Sequence, residues 1–245
     1  MARVLIGTSG WHYDHWVGPF YPDGTRPADR LAHYAGRFPA AEVNTTFYSL
    51  PSADTLATWR ALTPDGFVFA CKASRYITHM KKLKDPQESL APFLETVRAL
   101  GDRVGPLLFQ LPPKWRANPD RLDALLAAVP TAYRCAVEPR DESWFSDEID
   151  AVLSRHNAAF AVYDIDGRTS PVKTTADFAY VRLHGPGKAY EGSYDDAALG
   201  AWADRIRAWR DGGPDVYVFF DNDQDGHAPR DAARLMEMVA DGGGG

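Results

Sequence analysis

The chain is predicted to fold as an α/β protein, a single TIM (β/α)8 barrel. Three observations predict this. Eight short runs are rich in branched and aromatic residues, helix-spaced segments lie between nearly all of them, and one parity of the runs turns polar toward the C-terminal end. Alternating strand and helix implies a parallel sheet. Eight such units in 245 residues favour closure into a barrel over the alternative, an open doubly wound sheet.

The strands are read at residues 4–9, 42–46, 67–73, 106–111, 134–138, 159–164, 178–184 and 216–221, and the helices at 27–38, 53–62, 88–100, 119–128, 147–156, 195–210 and 229–239. Ser52, Asn118 and Ser146 stand where a side-chain oxygen caps a helix N-terminus, and Pro119 and Pro229 stand in a first turn. The sixth connection, 167–176, is too short and too β-branched for a full helix, so a short or irregular sixth helix is expected. No linker divides the chain: 1–240 read as one domain and 241–245 as a disordered glycine tail.

A formal net charge of −6 disfavours broad nucleic-acid affinity, which needs clustered Lys and Arg. The N-terminus lacks a basic segment followed by a long apolar one, and no run reaches the roughly 18 apolar residues of a membrane span, so a cytoplasmic protein with no membrane partner is expected. The two cysteines, Cys71 and Cys135, fall on the helix-facing parity of separate strands and read as buried thiols.

The other parity carries Glu42, Asn44, Lys72, Gln110, Glu138, Asp164, Arg182, His184 and Asp221, with Thr8 supplying a hydroxyl from the first strand. Deeper inward positions, such as Val68, Ala70, Ala136 and Val162, are apolar. Charges removed from water are costly unless partners or a ligand compensate them, and the sites of this fold lie at the C-terminal mouth. A binding or active site is therefore expected there. Arg140, Arg182 and Lys188 are assigned to hold an anion, Trp11 and Tyr48 to stack, and Asn44, Gln110 and Asn222 to orient the ligand. Asp164 and Asp221 complete the lining. Glu138 and His184 form the candidate proton-transfer pair, and Lys72 is either a Schiff-base amine or an ion-pair partner.

These assignments favour an enzyme acting on a small anionic, phosphorylated or carboxylated, or sugar-like ligand. Two alternatives compete. A divalent-metal phosphodiesterase or sugar-isomerase-like enzyme would use Glu138, Asp164, His184 and Asp221, with Arg140, Arg182 and Lys72 opposing the cation. A non-catalytic nucleotide or nucleic-acid binder would use the basic stretch 75–84, RYITHMKKLK. The loop 221–226, DNDQDG, imitates the start of a calcium loop but has Ala232 where the bidentate Glu belongs, so it reads as a hydrated turn. Neither a cofactor nor an oligomeric state is legible.

The motifs GTSGW (7–11), FYP (20–22), EVNTTFY (42–48), TP (63–64), FQLPP (109–113), VEPRDESW (137–144), VRLHG (181–185) and DND (221–223) follow one another along the chain. In that order the sequence resembles the domain of unknown function 72 family, the YecE-like proteins, from Gly7 to Met238. The resemblance implies a TIM barrel in a mostly bacterial or archaeal intracellular protein, with no established reaction to transfer. It also implies two departures: Pro139 stands where the family usually has an apolar or aromatic residue, and Asp221 where it commonly has Asn.

Overall fold

The computed structural model describes residues 2–241. Its strands are β1 Val4–Ser9, β2 Ala40–Val43, β3 Val68–Lys72, β4 Val104–Gln110, β5 Cys135–Glu138, β6 Ala159–Ile165, β7 Arg168–Thr169, β8 Phe178–Leu183 and β9 Asp215–Phe220. All but β7 pair in parallel, each with its neighbours, and β1 against β9 and β5 against β6 close the ring. The helices are α1 Arg30–Ala35, α2 Thr45–Tyr48, α3 Ala53–Leu62, α4 Pro86–Arg98, α5 Pro119–Ala128, α6 Asp147–Arg155, α7 Asp196–Asp211 and α8 His227–Asp241. The fold is the expected TIM barrel.

Local chemistry sets the helix starts. Ser52, Asn118 and Ser146 each accept a hydrogen bond from the backbone N–H three residues on. No helix follows β6. Asp166 and Gly167, both with positive φ, make a tight turn into β7, which folds back antiparallel on β6. The extended chain beyond then braces the barrel with hydroxyls. Ser170 Oγ accepts from the N–H of Tyr163, while Thr175 Oγ accepts from Phe160 N–H and donates to the Ala158 carbonyl.

The barrel interior is filled by complementary sizes. Ala40, Ala70, Ala136, Ala159 and Ala161 line the β2–β6 side, and Phe178, Tyr180, Tyr217 and Phe219 on β8 and β9 reach across to them. Gly7 is required where β1 crosses β2, because a Cβ there would lie 1.9 Å from the Ala40 carbonyl oxygen. Cys71 and Cys135 are buried and free in the layer between strands and helices.

Four expectations are corrected. The strand read at 42–46 ends at Val43, and its last residues turn into α2. On β6 the parity is shifted by one: Ala159 and Ala161 face the interior, and Phe160 and Val162 face the helix layer. Tyr163 therefore points in and Asp164 out. On β1, Ser9 carries the inward hydroxyl, whereas Thr8 bonds the Tyr34 hydroxyl in the outer layer. Asp241 closes α8, so the expected tail does not begin there, and residues 242–245 of that tail lie outside the described residues.

Candidate functional site

The inward residues at the strand ends converge on Arg182, which is fully buried at the end of β8. Its guanidinium donates to Glu42 from Nη2 at 2.6 Å and from Nε at 3.0 Å, to Glu138 from Nη1 at 2.9 Å, and to Asp221 from Nη2 at 3.0 Å. Tyr180 Oη donates to Glu42 at 2.6 Å, and the Ser9 hydroxyl also donates to it. With that single proton committed, Ser9 Oγ accepts from Arg182 and from Asn44 Nδ2. This fixes the orientation of the Asn44 amide.

Glu138 is clamped from the other side by Arg140, whose Nε and Nη2 both reach Oε1. The Arg140 guanidinium stacks 4.6 Å over the Tyr163 ring, the residue that the shifted parity of β6 turns inward. Burial alone would raise the Glu138 carboxyl, but Arg140 and Arg182 together hold it well below the usual carboxylate range. Burial likewise opposes ionisation of Asp221, and Arg182, His184 and Lys72 together outweigh it, leaving that carboxyl lowered.

His184 is fully buried between these groups. Its Nε2 receives Arg140 Nη2 at 3.0 Å and Arg182 Nη1 at 3.3 Å. Guanidinium nitrogens only donate, so Nε2 is unprotonated and the ring proton sits on Nδ1, 3.0 Å from Asp221 Oδ2. That approach lacks the alignment of a hydrogen bond, and Nδ1 has no in-line partner. Burial, then the charge of Arg182, lowers the His184 pKa, so the neutral imidazole is the stable form. Glu138 and His184 lie 4.0 Å apart, as an ionised carboxylate and a neutral ring.

A cavity of about 650 Å³ opens beside this network, lined among others by Gln110, Arg140, Phe145, Tyr163, Asp166, Arg168 and Tyr190. Arg140 is the link between cavity and network. Its Nη1 has no hydrogen-bond partner among the described residues, and neither does the guanidinium of exposed Arg168. Tyr190, left-handed at φ 68°, stands edge-on 5.6 Å from the His184 ring. Gly185 permits this loop to turn: it has φ 119°, and a Cβ there would lie 2.5 Å from the Glu191 carbonyl oxygen.

Lys72 ends β3 on the same inward parity and is half-buried. Its ammonium lies 4.5 Å over the Phe47 ring and within 4 Å of no carboxylate of the described residues. Burial and then Arg182 lower its pKa.

Other expected residues fall elsewhere. Trp11 is buried edge-on against Trp59 at 4.9 Å and lines a separate, smaller cavity with Asn44. Tyr48 is 74% exposed on α2. Lys188 is exposed and paired with Glu191. Asn222 is buried, donating to the Gly192 carbonyl and to Asp231, where it ties the β8 and β9 loops together. Asp164 faces the outer layer, where burial pushes its carboxyl up to about 6.

For a divalent cation the donor set is poor. Glu138, His184 and Asp221 each already face a guanidinium, and Asp164 is on the wrong side of its strand. Among the described residues, no group of three or more His, Cys, Asp and Glu has metal-holding geometry. No described helix is long and apolar enough to cross a membrane.

Sequence reasoning missed Ser9, Tyr163, Arg168 and the tyrosine beneath Glu42, Tyr180. A signal existed for two of them. Counting parity from Leu5 selects Ser9, and the Asp166–Gly167 pair is the signature of a tight hairpin that brings Arg168 back over the mouth.

The comparisons agree with this architecture. The family model described as "Protein of unknown function DUF72" matches residues 5–244. UPF0759 protein YunF of Bacillus subtilis (strain 168) is 24% identical over 96% of this chain and 94% of its own length. UPF0759 protein YecE of Escherichia coli (strain K12) is 30% identical over 62% of this chain and 54% of its own. The crystal structure of a DUF72 family protein from Thermotoga maritima superposes with a TM-score of 0.88 at 28% identity, covering 97% of this chain and 99% of that one. A family match across nearly every residue, joined to a barrel shared with a solved member, means that this chain belongs to the DUF72 family.

Proposed function

We propose that this protein is an enzyme whose ligand is a small, sugar-sized anion seated in the mouth cavity against Arg140 and Arg168. One observation carries the reading: Arg140 is held from beneath by Glu138 and His184, is stacked on Tyr163, and still has an uncommitted Nη1 in a cavity of about 650 Å³. That volume suits a small metabolite. A guanidinium fixed in plane loses little freedom when it pairs with a carboxylate or phosphate. Arg168 adds a second cation from β7, Gln110 adds an amide, and Tyr163 and Tyr190 offer apolar faces to the body of the ligand.

In this reading Glu138 and His184 act by positioning Arg140, since one is saturated by cations and the other has its basic nitrogen occupied. The metal-dependent alternative is disfavoured by the guanidiniums within the donor set. The nucleic-acid alternative has little support, because Lys81 of the basic stretch is already paired with Asp85.

The test is isothermal titration calorimetry with glucose 6-phosphate, gluconate, inorganic phosphate and glucose. The anionic sugars are expected to bind and glucose to bind far more weakly. Arg168→Ala is expected to weaken the anions by about tenfold, the loss of one charge-assisted contact. Absence of binding by every anion, or affinities indifferent to Arg168→Ala, overturns the reading.

A further inference from the structure

We propose that Lys72 is a carbonyl-reactive amine, which condenses with an aldehyde or ketone at the barrel mouth to form an iminium while His79 carries the proton. The geometry comes from β3 and the turn that follows it. Thr46 donates to the Lys72 carbonyl at 2.6 Å, fixing the strand end from which the side chain projects. Lys72 Nζ lies 4.5 Å over one face of Phe47, and the His79 ring meets Phe47 edge-on at 5.1 Å, so amine and imidazole share one aromatic support. His79 is brought there by a single π-helical turn, Tyr76–Met80, a rare local geometry that is frequent at functional sites. The buried Thr78 hydroxyl lies 2.9 Å from His79 Nδ1, which leaves Nε2 as the ring position for proton exchange.

The electrostatic setting fits a nucleophile better than a structural cation. Arg182 is paired with three carboxylates and Arg140 with Glu138, whereas Lys72 has none in contact and faces Arg182 as a like charge. Burial and that repulsion favour its neutral form, and burial followed by the Lys72 charge favours the neutral form of His79. The step balances without an outside reactant. His79 takes a proton from the ammonium, and the Nζ lone pair forms a C–N bond to the carbonyl carbon as the carbonyl electrons move to oxygen. The oxygen takes that proton from His79, then a second from the newly bonded nitrogen by the same route, and leaves as water as the nitrogen lone pair closes the C=N bond. Ammonium and carbonyl thus become iminium and water.

The full-length protein is incubated with pyruvate or glyceraldehyde and cyanoborohydride, and adducts are located by peptide mass mapping. The expected result is fastest modification at Lys72, ahead of the exposed Lys188, with loss of that adduct in Lys72→Met. His79→Asn is expected to slow adduct formation by about a hundredfold, the scale of one proton-transfer group. Labelling of Lys72 no faster than Lys188 in the wild-type protein overturns the proposal, whether or not the variant folds. An equally fast mass adduct in Lys72→Met overturns it too. The proposal does not require the anion site: Lys72→Met is expected to retain the calorimetric binding of gluconate, so failure of one reading is distinguishable from failure of the other.

Discussion

The two halves of the mouth are built on opposite principles. On the β1, β2, β8 and β9 side, Ser9, Glu42, Arg182, His184 and Asp221 are buried and bonded to one another. On the β3 to β7 side, Glu138 alone joins that network, while Lys72, Gln110 and Arg168 are without an ion-pair or hydrogen-bond partner among the described residues, and Gln110 and Arg168 line a cavity. Arg140 belongs to both. In the proposed reading charge density alone does not locate the ligand: the densest cluster is closed on itself, and the sparser half keeps donors available to a visitor. Buried ionic groups of this kind give geometry more than stability, since desolvation consumes much of their attraction.

The comparison can be broken at its centre. Arg182→Met removes the cation shared by Glu42, Glu138 and Asp221, leaving buried carboxylates uncompensated. Stability measured by urea unfolding is expected to fall by about 3–5 kcal/mol. Arg182→Lys is not expected to restore it, because an ammonium cannot serve three carboxylates in one plane.

The bridge between the halves is the next test. Glu138→Gln keeps the shape but removes the charge that holds Arg140, with an expected loss of about 2 kcal/mol in the same unfolding measurement. If Arg140 is positioned through Glu138, the variant also weakens gluconate in calorimetry at a pH where it remains folded.

The smallest effect sharpens the contrast from outside the mouth. Burial raises the Asp164 carboxyl from 3.8 to about 6, so folding disfavours its charged form. Its stabilising share is complete below the ordinary carboxylate value and is lost as pH rises through about 6. Asp164→Asn is expected to match the wild type near pH 4 and exceed it by about 1 kcal/mol near pH 8, after allowance for partial exposure. A variant that instead weakens gluconate binding would return Asp164 to the mouth.

Much of this was legible in the sequence, and the failures have physical causes. Six strands gave the right inward parity at their polar ends because one-residue alternation is strict once a single apolar anchor is placed. On β6 the anchor was chosen by polarity: Asp164 looked like a mouth residue, yet Tyr163, whose aromatic body suits either face, takes the inward place. α2 and the turn Tyr76–Met80 were invisible because four or five residues show no periodicity, and neither has a side-chain N-cap. The partners of Arg182 were not legible either. Glu42 lies 140 positions away, and which strand ends meet depends on the stagger of the closed barrel rather than on any local pattern.

The extended segment that replaces a helix after β6 has a dynamic consequence. A wall held by a few hydroxyl contacts opens at lower free energy than one buttressed by a packed helix, so amide exchange should be earliest along residues 168–177. The seam that loosens first borders the cavity, while the knot around Arg182 stays shut, and the barrel can thus breathe at its entrance without losing register in its core.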